Sequence, residues 1–135
     1  MALKNVKTVG APFSNAAELV EVQYDFAKDG GAVGSYDALI ADGACMIEFL
    51  YLHVETGVTS EDALTLDLGK GDGGDEYFDG LAITAIADPE DIVAPTAENR
   101  FVELTNGEKI VMGIVAHAAT AGKFHMVFRV YKKQF

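Results

Sequence analysis

In Val20-Glu21-Val22-Gln23-Tyr24-Asp25-Phe26, apolar side chains alternate with polar ones. That period of two is the pattern of a strand with one face on a core and one face toward water. The strand runs into Asp29-Gly30-Gly31 and then Gly34, residues that tolerate the positive φ of turns and bulges. Working outward, residues 36–41 read as a second strand ended by Asp42-Gly43. Residues 44–58 read as a third strand, apolar on both parities: Met46, Leu50, Leu52 and Val54 on one side, Ile47, Phe49 and Tyr51 on the other. Such a strand is either central or meets another subunit.

Further along, Leu64, Leu66 and Leu68 alternate with Thr65 and Asp67 as a fourth strand. Residues 69–80 hold too many Gly and Asp for a core and read as a loop. Residues 81–87 alternate and are expected as a strand. Asp88-Pro89-Glu90-Asp91 has the order of a helix start, with Asp88 as cap and Asp91 closing the box, limited to one turn by Pro95. Residues 100–104 and 109–117 flank Asn106-Gly107, a tight-hairpin signal. The last strand covers residues 123–132, with Phe124, Met126, Phe128 and Val130 on one face.

About eight short strands with turn chemistry between them predict an all-β protein, an antiparallel sandwich of jelly-roll-like form. At 135 residues and 50% hydrophobic, the chain is one domain able to bury a core without staples. The division expected is an extended N-terminal arm over residues 1–13 and a single sandwich over residues 14–135. The lone Cys45 rules out an internal disulfide. No apolar run reaches the roughly 20 residues of a membrane helix and no signal-peptide core is evident, so neither a membrane partner nor secretion is expected.

The net charge is −11, which argues against nucleic acid as a partner. All 21 acidic residues lie between residues 11 and 122. Residues 1–10 carry only Lys4 and Lys7, and residues 123–135 carry Lys123, Arg129, Lys132 and Lys133. If the termini lie together, two basic ends beside an acidic body give the surface two electrostatic characters.

Residues with catalytic chemistry do not fall at recognisable spacings. His53, His117 and His125 are far apart and sit in expected strands, and no phosphate loop, zinc-binding helix or nucleophile elbow occurs. Cys45 opens an apolar run and reads as a small core residue. Asp72, Asp75, Glu76 and Asp79 form the one cluster with calcium-like chemistry, at a spacing that matches no known calcium loop. No enzyme activity, metal or cofactor is assigned.

The segment Tyr24-Asp25-Phe26-Ala27-Lys28-Asp29-Gly30-Gly31-Ala32-Val33-Gly34-Ser35-Tyr36-Asp37 is followed by an apolar strand and then a Thr-Ser punctuated one. This order resembles the small head decoration, or cement, proteins of tailed bacteriophages. The likeness spans residues 18–70 and the closing pattern Ala121-Gly122-Lys123-Phe124-x-x-Val127-Phe128. It implies a non-enzymatic virion component made in the host cytoplasm, commonly a trimer, bound to the outside of the capsid lattice. Its partners would then be the major capsid protein and itself.

Within that expectation the basic, apolar-flanked ends are the candidate partner-binding residues: Leu3, Lys4, Val6, Lys7 and Val9 on the arm, and Lys132, Lys133 and Phe135 at the other end. The arm is expected to be dispensable for folding, so that removing residues 2–12 leaves a folded trimer. Three alternatives compete. A carbohydrate-binding jelly-roll module would stack Tyr36, Tyr51 and Tyr77 on sugar rings, and the absence of Trp counts against it. A fibre or tail component shares the same sequence features. A cupin-type enzyme needs a compact His and carboxylate cluster that this spacing lacks.

Overall fold

A computed structural model describes residues 1–9, 17–95 and 100–132. Gly10, Ala11 and Pro12 of the expected arm, the Thr96-Ala97-Glu98-Asn99 turn, and Lys133 and Phe135 lie outside the described residues. The strands are β1 (Ala2–Val9), β2 (Glu18–Asp25), β3 (Gly34–Ala41), β4 (Cys45–Ser60), β5 (Thr65–Lys70), β6 (Phe78–Ala82), β7 (Ile92–Val93), β8 (Phe101–Leu104), β9 (Lys109–Val115) and β10 (Ala119–Lys132). One helical turn, α1 (Phe26–Asp29), follows β2.

The strands form two sheets. The first has the order β1-β3-β9-β5-β6, antiparallel except for the parallel β1–β3 pair. The second has the order β2-β10-β4-β7, with β8 also paired to β4. Between them lies one apolar core, in which Phe49 touches Tyr77, Phe78 and Phe128 at ring-centroid distances of 5.1 to 5.6 Å. The antiparallel sandwich expected from the sequence is the fold.

Four local expectations are revised. The segment expected as an arm is extended over Ala2–Val9, but it is an edge strand of the first sheet, and Leu3 and Val9 are buried in the core. Asp29 fastens it to β2, because its carboxylate accepts the Lys4 N–H at 2.6 Å and the Asp25 N–H at 2.8 Å. A segment that supplies two core residues is expected to contribute to folding stability. The strand expected over residues 81–87 begins earlier, at Phe78, and gives way at Ile83 to a 3-10 turn that turns Ile86 into the core. At Asp88 the expected box half closes, the Asp91 carboxylate accepting the Asp88 N–H at 3.1 Å, yet no helix follows and β7 begins at Ile92. With β1 and β7 added, the strands among the described residues number ten.

The fourth revision concerns β4. Cys45, Ile47 and Phe49 point into the core, and so do Leu52 and Val54, of the opposite parity. Opposite them the register steps from Phe49↔Phe128 to Tyr51↔Val127, so that Leu50 is the extra residue of a β-bulge. A bulge exchanges the faces of everything beyond it. The two-sided apolarity of β4 therefore has a cause inside this chain: two inward-facing runs joined at Leu50.

The turns follow their residue chemistry. Gly107 takes a positive φ of 86° in the Asn106-Gly107 hairpin, and the Asn106 side chain accepts the Gly43 N–H at 3.1 Å, locking that hairpin to the β3–β4 turn.

Candidate interaction surfaces

The expected anchor is divided by the fold. Leu3 and Val9 are core, Val6 is half-buried, and only Lys4 and Lys7 stand exposed on β1, with no ion pair among the described residues. Lys132 ends β10 opposite Cys45, whereas Lys4 lies beside Asp29, just past the Asp25–Lys123 end of the same sheet. At the rise of a β-strand those two ends are roughly 30 Å apart. Lys4 and Lys132 thus lie at opposite ends of the sandwich, whereas Lys7, opposite Leu39 on β3, lies nearer the Cys45 end.

The residues considered for chemistry are engaged structurally. His53 meets Glu90 at 3.1 Å and His117 meets Asp62 at 3.7 Å. His125 faces Glu21 through Nδ1 at 2.6 Å and Glu55 through Nε2 at 2.8 Å. Only an imidazolium has N–H groups on both nitrogens, so both contacts are hydrogen bonds in the protonated form. Hydrogen bonding from His125, helped by Lys123, holds the Glu55 carboxyl below the usual carboxylate range. Cys45 is buried, and burial pushes its thiol up, away from the reactive thiolate.

In the Gly/Asp loop the Glu76 carboxylate accepts the Lys70 N–H at 2.9 Å. Among the described residues no three His, Cys, Asp or Glu side chains are disposed to hold a metal ion. Two of the three tyrosines considered for sugar stacking are in the core: the Tyr36 hydroxyl donates to the Ala32 carbonyl at 2.6 Å and the Tyr77 hydroxyl to the Ile47 carbonyl at 2.5 Å. Tyr51 alone of the three is exposed, which removes the stacking platform from the carbohydrate reading.

What sequence reasoning missed is the outer face of the second sheet. Strand register lays its residues in cross-strand rows: Leu19, Arg129, Glu48 and Phe101 in one, Glu21, Val127 and Tyr51 in the next, and Gln23, His125, His53 and Ile92 in a third. Leu19 (64%), Tyr51 (41%), Ile92 (67%) and Phe101 (51%) are largely exposed on it. Between them Glu48 is buried under its neighbours, with Arg129 and Arg100 at 3.7 and 3.9 Å and the Tyr131 hydroxyl donating to it at 2.8 Å. The signal available was the polar parity of β2 and β10; the bulge in β4 hid the third strand's contribution.

No protein-family model and no curated protein matches the chain. Among solved structures, the fold is shared with a chain in the capsid of Helicobacter pylori bacteriophage KHP30, with a TM-score of 0.62 and 11% identity over 85% of this chain and 86% of that one. A chain in the capsid of Ralstonia phage GP4 aligns with a TM-score of 0.59 and 15% identity, covering 92% and 91% of the two chains. A chain in the capsid asymmetric unit of cyanophage Pam1 gives 0.57 and 17%, covering 93% and 91%. In each case the likeness extends over almost the whole sandwich.

Proposed function

We propose that this chain is a structural component of a tailed-phage virion that sits on the exterior of the capsid, bridges neighbouring shell subunits, and does no chemistry. The observation that carries this reading is the sharing of nearly the entire fold with chains from three phage capsids. The resemblance of the strand and turn order over residues 18–70 to cement proteins points the same way. The engagement of all three histidines with carboxylates, and of Cys45 with the core, fits a role without catalysis.

A protein that binds an assembled lattice, but not free shell subunits, stabilises the lattice by mass action, by RT ln(1 + [L]/Kd) per site. Lys4 and Lys7, exposed on an edge strand of an acidic chain, are placed to steer it onto an acidic shell surface. Lys132, with Lys133 and Phe135 beyond it, is the other basic contact. The working unit is a homotrimer, which gives each capsid contact an effective concentration from its neighbours.

The test is to mix purified protein with expanded, undecorated capsids and image the particles. Added density on the outer surface of the shell is expected; bare shells at saturating protein would contradict the proposal. A glycan array in the presence of calcium is expected to be blank.

A further inference from the structure

Gly113 lies in the middle of β9, the central strand of the first sheet, paired with Ser35 on one side and Asp67 on the other. A glycine inside a strand weakens it, and one with no local cause marks a place where another molecule comes close. Every other glycine among the described residues has a cause inside this chain. Most have a positive φ, and at Gly31, Gly57, Gly69 and Gly74 a Cβ would collide with the chain's own backbone. Gly113 has neither: its φ is ordinary, and a Cβ there would meet only the Asp67 Cβ at 3.6 Å and a Val115 methyl at 3.9 Å, normal contacts.

Gly113 is the floor of a groove on the outer face, about 170 Å³ in volume, which has room for one large apolar side chain. Val111 and Gly74 stand at one end, Val33 and Val115 toward the other, and Ser35 and Asp67 at the sides. Val33 and Val115 are exposed, so the groove leaves apolar surface in water.

The charges around it select the occupant. Lys109 is held by Asp37 and Lys70 by Glu108. Asp67, Asp72, Asp75, Glu76 and Asp79, on the groove wall, the loop and β6, have no base in an ion pair. The cation beside the groove is the Met1 amine, which donates to the Ser35 carbonyl at 3.2 Å. Even with Lys4 and Lys7 of the edge strand β1 counted, carboxylates stay in excess over bases on this sheet and its loop. A second copy of a chain of net charge −11 is poorly matched to such a surface, whereas a basic segment is well matched.

We infer that this groove receives an apolar side chain from a shell subunit, on a segment that also carries Lys or Arg. The apolar group seats over Gly113, and the base faces Asp67 and the Asp72 loop. The inference rests on the proposed function and deepens it by naming a contact surface and the chemistry of what enters it. Lys4 and Lys7, two strands away on β1, meet a different part of the shell.

Cosedimentation with expanded, undecorated shells tests it, using the wild type, Gly113→Ala, Gly113→Val and Asp67→Asn, the last keeping an oxygen for the Gly80 N–H. Circular dichroism and melting curves verify folding; Gly113→Val is expected to melt at or above the wild type, because the strand gains a side chain for which it has room. Gly113→Val is expected to bind shells at least tenfold more weakly, and Gly113→Ala to fall between it and the wild type. Asp67→Asn is expected to bind several-fold more weakly at low salt, the difference closing as salt rises. A folded Gly113→Val that binds shells as the wild type does would overturn the inference and leave the proposed function standing. Should Gly113→Val fail to fold, unchanged binding by both Gly113→Ala and Asp67→Asn would overturn it equally. So would a Gly113→Val that loses self-association but still binds shells, which would assign the groove to a second copy. Shells left bare by the wild type would overturn the proposed function, and this inference with it.

Discussion

The two sheets treat their outer faces differently. The first covers much of its own: Val111 is outward on β9 yet buried, and it lines grooves with Gly71 and Asp72 on one side and with Gly73 and Gly74 on the other, where the Gly/Asp loop lies against the sheet. On the same face Asp37 and Lys109 form an ion pair at 2.9 Å, and Val115 stays exposed at the end of β9. The second sheet, built on the long strands β4 and β10, has no such loop among the described residues, where Leu19, Tyr51, Ile92 and Phe101 are exposed. The contrast teaches that the Gly/Asp loop, which read as a metal-binding candidate, works here as a lid over part of one face and leaves beside it the groove over Gly113.

The largest expected effect comes where the sheets meet. Phe49→Ala empties the centre of the aromatic cluster and is expected to lower stability by about 3–5 kcal/mol in urea unfolding, whichever outer face is intact. Next is the contrast within β1. Leu3→Ala should cost about 2–4 kcal/mol, whereas Lys4→Glu with Lys7→Glu should stay within about 0.5 kcal/mol and instead weaken capsid binding, most at low salt. Equal and small effects from both changes would restore the free-arm reading.

Smaller again is the lid. A side chain at Gly74 would run into the backbone of Lys70, so Gly74→Val is expected to cost about 1–3 kcal/mol and to speed amide exchange around Val111.

The smallest effect is one of pH. Hydrogen bonds from Lys70 and then Thr105 hold the Glu108 carboxyl down to about 2. A carboxyl lower in the folded than in the unfolded chain stabilises the fold above its unfolded value, and that contribution is lost as pH falls from about 4.5 toward 2. Wild type should therefore melt slightly above Glu108→Gln at pH 7, the gap closing in acid. The side chain is a third exposed, so the gap is small.

These particulars show which parts of the molecule were legible in its sequence. The alternation of β2 and β10 and the Asp-Gly and Asn-Gly turns were readable, because period and turn chemistry are local properties. The β4 bulge was not, because an extra residue is defined only against the partner strand, here the Phe128 and Val127 step of β10. Nor was β1, whose burial pattern departs from strict alternation: Leu3 and Val9 face the core at its two ends, and its parallel pairing with β3 has no local signature. Of the candidate contacts, the exposed lysines were legible as charge, while the flanks of the second sheet depended on which strands came to lie side by side.

The central claim is that this chain recognises an assembled phage shell. Cosedimentation over a range of concentrations, run in parallel with assembled undecorated shells and with unassembled shell subunits, tests it most directly. Saturable binding to the shells, with a fixed number of copies per shell and none to the subunits, is the expected result. No binding to shells, or equal binding to shells and free subunits, would contradict the account.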